Sequence, residues 1–526
     1  MAARNKVEKI NTSVDTDYIS HTSIEQLPDF CLDRIFQNFS IYDRIRIERV
    51  CKRWQHVSKD SWYTVTKLDS ILPHIENIGR VERSLTTDRY ILRQVLNRCG
   101  KYLLSLDLRK EEESRRYGEV TVPVIISETC QKLQVLNLSC YVIEVKSFLR
   151  MIPVCENLTK ILFALLGDAQ DCEDAIIKLL RKTRKMKHFW THYAVVHFDS
   201  FPDSIEEFRL DGCTIKSSPN PTNFDNLHTL VLRKPKNFND TSLEIISGMS
   251  NLKSLKLSFI RSHSQVTSNG MKHLSNLKNL QKLDIRGNRQ SFTDEVMKEI
   301  AGNCKQIVFL NISHNHLTER GISELSKLKE LRYLTMRNLT GVRGENLWRL
   351  STLEILNCSY CYDIKTENLC TLVERSVDLK KIVCLGCNIN DNLLEVAADA
   401  TARRGNETVL NICFDFTMSP EKIAEIVNRS PKLRIYGYNI ALEIKHESEN
   451  CDGRFKDDDW YDSMSMEYDM TDVDTDDATD IENDAESDDE DLLMSVANES
   501  EYEDESENVE ISENEDLSEN EIESEE

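Results

Sequence analysis

Four cysteines, Cys358, Cys361, Cys384 and Cys387, stand as two Cys-x-x-Cys pairs, a donor set that in thiolate form can hold a zinc ion in a tetrahedron. Their offset has a second explanation. The pairs lie 26 residues apart, one step of an apolar pattern, Leu-x-x-Leu-x-Leu, that recurs through the middle of the chain. Cys358 and Cys384 take the third apolar place of their units, and Cys361 and Cys387 follow three residues later, where other units have Asn288, Asn315 and Cys213. Repeat phase accounts for all four, so no metal and no cofactor is assigned. No catalytic nucleophile set and no glycine-rich phosphate loop stands out. The 12 histidines are scattered, and a lone histidine is more often a satisfied polar residue than a ligand. The chemistry expected is recognition, not catalysis.

The recurring pattern must position whatever does the recognising. Its first place falls at Leu103, Leu133, Leu158, Met186, Ile205, Leu227, Leu252, Leu280, Ile307, Leu331, Leu353, Leu379, Val409 and Leu433, in steps of 19 to 30 residues. That period is close to the leucine-rich repeat, in which each unit supplies a short strand and a returning helix and neighbours complete its core. Ile307, Leu310, Ile312 and Asn315 make the clearest unit. Before it, Val296, Met297, Ile300, Ala301 and Cys304 share one helix face. The units at Met186 and Val409 are the weakest. The expected fold class is α/β, a helical N-terminal module followed by a repeat solenoid.

Within each strand the second and third apolar residues point into the core, so the residues beside them point onto the concave face. From the unit at Leu227 onward that face collects Arg233, Lys256, Phe259, Lys282, Arg286, Phe309, Tyr333, Arg337 and Tyr360, with Lys234, Asp284 and His314 on the same stripe. Arginines and aromatics supply most binding hot spots, and guanidinium groups chelate carboxylate or phosphate. The stripe is expected to take an acidic or phosphorylated segment of a protein.

The N-terminal segment 24–62 has a different periodicity. Leu32, Ile35, Phe36 and Phe39 follow helical spacing behind Pro28. Ser40 with Asp43 resembles a capping box, and Ile47, Val50, Cys51, Trp54 and Val57 form a second stripe. About forty residues cannot build a self-sufficient core, so such a unit completes its burial on a partner or on the next domain. Leu27-Pro28-Asp29, Leu32, Ile35-Phe36, Phe39, Asp43 and the run Val50-Cys51-Lys52-Arg53-Trp54 closely resemble an F-box. With the repeats, the resemblance is to the F-box and leucine-rich-repeat family, the substrate receptors of cullin-RING ubiquitin ligases. It implies docking on a Skp-type adaptor through Leu27, Pro28, Leu32, Ile35 and Phe36, and through it a cullin and a RING subunit. It also implies a non-catalytic role in targeting proteins for proteasomal degradation, or else a scaffold that uses the adaptor without ligase activity.

Length and charge bound the rest. A chain of 526 residues exceeds one compact core. No secretory apolar segment opens it and no stretch is long and apolar enough for a membrane, so the expected setting is the cytoplasm, with RKTRKMK at 181–187 reading either as a nuclear-import patch or as a solvated helix end. Neither nucleic acid nor membrane is expected as a partner. The net charge of −24 conceals a strongly acidic end: residues 452–526 hold 34 acids against Arg454 and Lys456, leaving the remainder mildly basic. The expected organisation is a disordered 1–22, the F-box at 23–66, a linker and cap at 67–100 with a helix near YILRQVLNRC, the solenoid at 101–446, and a disordered acidic tail at 447–526. Ser487, Ser500, Ser512 and Ser518 in the tail have the spacing an acid-directed kinase reads.

Overall fold

The computed structural model describes residues 24–69, 89–109, 116–216, 224–258, 265–415 and 419–436. The expected disordered arm, the acidic tail and Phe259 lie outside the described residues. Three short helices open the chain: α1 (Asp29–Phe36), α2 (Ile41–Ile47) and α3 (Lys52–Ser61). Pro28 precedes α1 with φ −59°, where its missing N–H is no loss. Ser40 caps α2 by accepting the Asp43 amide at 3.1 Å. The second stripe read from sequence is broken. Cys51 has extended backbone and its sulfur accepts the Trp54 amide, so it starts α3, and Val50 is 61 % exposed in the turn before it.

Beyond the helices, the strand Lys67–Asp69 is the first of a long parallel sheet, pairing Leu68 with Leu106. The sheet thus begins inside the segment expected to be linker and cap, which also holds the helix α4 (Arg89–Cys99). From Ser105–Asp107 onward one strand of each repeat adds to the sheet in parallel, ending with Leu433–Tyr436. Register repeats from unit to unit: Leu283 pairs with Leu310, Leu310 with Leu334, Leu334 with Leu356 and Leu356 with Ile382. These are the second apolar places of their units, and all are buried, as are the first and third. Each fully buried aliphatic side chain contributes roughly 1.5–3 kcal/mol, and no single repeat can bury its own, so the array is stable only as a stack.

The returning elements lie between strands in sequence. Asp294–Asn303 buries Val296, Met297, Ile300 and Ala301, the face the spacing predicts. Other returns shrink to a single 3₁₀ turn, as at Leu347–Arg349. The weak unit at Met186 is sound because phenylalanines replace leucines: Phe189 meets Phe163 and Phe201 edge to face, and Phe201 meets Phe208 at 4.2 Å between centroids. At the other weak unit the second and third places, Ile412 and Phe414, keep phase, Ile412 pairing with Ile382, and only the first place moves. Leu410, not Val409, is fully buried and pairs with Leu433, while Val409 is half-buried.

Candidate functional site

The F-box helices keep a small core of their own, made by Leu32, Phe36, Ile47 and Val57 with Leu27, Ile35 and Trp54 packed against it. Phe36 stacks on Phe39 and meets Trp54 at 5.3 Å. Leu32 and Phe36 are 0 % exposed. Both therefore hold the module together and do not belong to a docking face, where the sequence reading had put them. Of the five expected adaptor residues, Leu27, Pro28 and Ile35 reach the surface. Phe30, 73 % exposed, and Val50 join them as large apolar groups left to water. Helical spacing alone passed over Phe30 because it sits off the apolar stripe; its signal is an aromatic on the polar side of an amphipathic helix.

Basic residues brace this module. Arg53 binds Asp29 Oδ1 at 2.8 Å and donates to the carbonyls of Glu25 and Leu27, fixing the segment that leads into α1. Arg44 is buried and donates to the carbonyls of Gln37, Phe39 and Ser61 at helix ends.

Trp62 and Glu48 anchor the module to the solenoid, on whose core Ile41 and Ile45 of α2 also pack. Trp62, fully buried, belongs to the solenoid core with Leu68, Leu92, Val95 and Leu96. Its indole N–H donates to Glu48 Oε1 at 2.9 Å, and Glu48 also accepts from Arg98 Nε at 2.9 Å and Nη2 at 2.8 Å. Glu48 lies in the turn after α2 and Arg98 in α4, so one buried carboxylate joins F-box, tryptophan and repeat cap. No sequence signal marks this contact, which spans 50 residues.

Along the sheet face opposite the helices, the expected binding stripe is real as an alignment. Lys282, Phe309 and Tyr333 are neighbours in register, as are Lys256 and Asp284 on adjacent strands. Availability differs along it. Lys256 and Arg286 are more than nine-tenths buried: Arg286 grips Asp284 through Nε at 2.9 Å and a shorter second bond, and Lys256 Nζ lies 3.8 Å from the same carboxylate. Burial works to raise the Asp284 pKa, but Arg286 and Lys256 hold it below the ordinary value. Lys282, Arg233, Phe309, Tyr333, Arg337 and Tyr360 are half-buried and present side chains on this face. Nearer the N-terminus the same face carries Trp190 between Lys160 and Arg209, at 4.4 and 4.1 Å from its ring.

The paired cysteines have packing and hydrogen-bonding roles. Asn288 Nδ2 donates to the carbonyls of Leu257, Ile285 and Arg286, and Asn315 Nδ2 to those of Ile285 and Ile312. In later units Cys361 Sγ donates to the Met336 carbonyl at 2.9 Å and Cys387 Sγ to the Cys358 carbonyl at 3.1 Å. Burial pushes the Cys361 thiol up to about 12, and Cys384 is raised for the same reason. Among the described residues no group of His, Cys, Asp and Glu converges as a metal-ligand set, and no helix is long and apolar enough to cross a membrane. In the basic run at 181–187 the helix stops at Lys182, with Arg181, Arg184 and Lys185 exposed and Met186 buried.

An F-box domain model matches residues 24–66. A Caenorhabditis elegans protein described as a putative RNA-binding protein is 25% identical over 367 residues, 65% of this chain and 47% of that protein. The chain thus spans about half the length of this curated relative. Among solved structures, an internalin from Listeria monocytogenes aligns over 70% of this chain and 92% of its own, at 14% identity and a TM-score of 0.34. TLR13 in a complex with ssRNA13 aligns over 65% of this chain and 57% of its own, at 13% identity and a TM-score of 0.39. The chain carries an F-box at residues 24–66, followed by a parallel-strand solenoid of the leucine-rich-repeat kind.

Proposed function

We propose that this protein is the substrate-recognition subunit of an SCF-type ubiquitin ligase, non-catalytic itself, holding a target protein on its repeats while the F-box joins a Skp-type adaptor and a cullin-RING assembly. The observation that carries the reading is the F-box itself: its core is closed, yet Phe30 and Val50 remain on its surface, as a module awaiting a partner requires. The anchor at Trp62, Glu48 and Arg98 supports it further. Catalysis in such a complex is proximity, since holding a target lysine near the charged conjugating enzyme replaces a bimolecular encounter. A mount set in the solenoid core keeps that distance fixed. The half-buried arginines and aromatics of the open sheet face are the surface offered to the target.

The test is Phe30→Asp with Ile35→Asp, which leaves Leu32 and Phe36 untouched. Each loss of an apolar anchor removes on the order of 2 kcal/mol of binding, about thirtyfold in affinity, so adaptor co-purification should vanish while the repeats stay folded by circular dichroism. Undiminished adaptor binding sinks the assignment. Cullin co-purification with wild-type protein then separates a ligase receptor from an adaptor-bound scaffold.

A further inference from the structure

The open face of the sheet changes character along its length. On the earlier strands its charged groups answer one another: His188 lies 2.9 Å from Glu207 and His192 3.5 Å from Asp211, and Asp284 holds Arg286 and Lys256. From Phe309–Asn311 onward apolar side chains take over. Phe309, Tyr333 and Ile355 stand side by side in register, all half-buried. On the next three strands the line shifts two residues along, to Val383, Cys413 and Tyr436, again in register. Val383, Leu385 and Cys413 form an apolar cluster with Tyr436 that is separate from the main core, to which Ile382 and Ile412 belong. Strand alternation leaves that face to solvent, so contiguous apolar surface there is not required by the repeats and marks an interaction site.

The apolar track spans six strands, about 24 Å at a strand spacing of about 4.8 Å. Strands inside a sheet have committed their N–H and C=O groups to the ladder, so a guest lying across them must satisfy its own backbone. An α-helix does. Its rise of about 5.4 Å per turn is close to the strand spacing, so each turn sets one apolar residue on one strand, and about sixteen residues cover the track.

Charge narrows the choice of helix. Arg337 lies four residues along its strand from Tyr333, about 13 Å away, with its guanidinium 5.4 Å from the Tyr360 ring and its Nε sealed without an acceptor. On the other side of the track Lys381 and Arg434 stand in register, with Asn411 between them. Among the described residues these three cations have no ion pair, and Asp415, two residues beyond Cys413, accepts the Gly386 amide at 2.6 Å. A half-buried cation without a counter-charge is costly unless something supplies one. A helix about 10–12 Å across lying on the track has Arg337 beside one flank and Lys381 and Arg434 beside the other.

We propose that the sheet face from Phe309–Asn311 to Leu433–Tyr436 is the docking surface for an amphipathic α-helix of a target protein, apolar on one side and acidic on both flanks. This deepens the receptor reading and rests on the solenoid being its target-binding part. Apolar anchors seated on the aromatic and aliphatic track supply the affinity, and carboxylates facing Arg337, Lys381 and Arg434 fix the direction and choice of partner. A polynucleotide fits this surface less well, because Ile355, Val383 and Leu385 are aliphatic and offer bases no stacking platform. A second copy laid on it face to face would set like charges together.

The experiment titrates the full chain into a fluorescent peptide of about sixteen residues, with leucines at i, i+3, i+4 and i+7 spacing and glutamates on both flanks, and reads anisotropy. Comparison peptides carry lysine in place of each glutamate, or a proline at the centre. The glutamate helix should saturate with a Kd on the order of 10 μM, and both comparison peptides should bind about tenfold more weakly or worse. Ile355→Asp should weaken the glutamate helix about tenfold or more. Arg337→Glu with Lys381→Glu should invert the preference, so that the lysine peptide binds the tighter of the two, a gain that misfolding does not produce. Five results overturn the proposal: no saturation by roughly 500 μM, equal binding of either comparison peptide, a preference that survives the double charge reversal, displacement of the peptide by oligouridylate, or a wild-type dimer by sedimentation that Ile355→Asp dissolves. Adaptor co-purification with the same wild-type protein keeps the two readings apart. Its absence would sink the receptor and leave the helix titration standing, whereas a failed titration beside intact adaptor binding sinks the docking surface alone.

Discussion

Arg98→Met isolates the anchor between F-box and solenoid. The substitution keeps the aliphatic stem and removes the cation that Glu48 faces at 2.8 Å. Glu48, its side chain 4% exposed, would be left with the Trp62 N–H as its partner in this junction. Stranding one member of a fully buried pair costs about 3–5 kcal/mol. Arg98 keeps 23% of its side chain in solvent, so water screens part of the pair and about 2–3 kcal/mol is the appropriate figure. The loss falls on local opening at the junction more than on the whole array, because repeat solenoids do not unfold as one two-state unit. Amide exchange by mass spectrometry should therefore quicken about 30- to 150-fold over α2, α3 and α4, with the distal repeats unchanged. Glu48→Gln added to Arg98→Met should recover part of the loss, since a neutral amide still accepts from Trp62 and leaves no bare charge. Protection of α2 and α4 unchanged within about twofold in Arg98→Met, a shift well under 1 kcal/mol, would refute the anchor. Recovery absent in the double variant would refute its electrostatic basis.

Three further outcomes follow from the same structure. Cys361→Ser should be nearly neutral because a hydroxyl can replace the thiol that donates to Met336 and accepts from Leu339, whereas Cys361→Ala should cost about 1–3 kcal/mol, measured by urea unfolding of the repeats. Gly386→Ala forces a Cβ to 2.5 Å from the Tyr360 ring at φ +65°; a loss of about 1–3 kcal/mol is expected, together with a changed Tyr360 environment by NMR. Acid should weaken the fold in two windows, followed as urea midpoint against pH. The unfolded chain takes up a proton at His314 as pH falls from about 6.5 to the folded value of about 4. Glu207 is pushed up by burial but held at about 2 by His188 and Arg209, so its contribution, whole above about 4.5, is lost as pH falls toward 2. His314→Gln should flatten only the first window.

What sequence alone could and could not convey divides along the range of the interactions. The Leu-x-x-Leu-x-Leu phase is local, and it located the buried places of most units, including those where cysteine or phenylalanine replaces leucine. At Val409 and Leu410 two adjacent apolar residues compete for one place, and pairing with Leu433 decides between them. Around Val50 the apolar spacing runs on unbroken, yet the Cys51 sulfur caps a new helix and turns Val50 outward. A helical stripe also says only that a face is buried, not whether its own chain or a partner buries it; Leu32 and Phe36 found their partners within the F-box.

The binding stripe shows the same boundary in electrostatic form. Strand alternation put Lys256, Arg286 and Arg337 on one face as apparently equal cations. Asp284, read from sequence as one more member of that stripe, neutralises Lys256 across the strand ladder and Arg286 two residues along its own strand. Arg337 lies two strands further on from Asp284, where the register supplies Asn311 and Thr335 in place of an acid. A ladder that lines up one acid with three cations thus spends two of them on internal pairing and leaves the third, over Tyr360, with charge to offer a ligand.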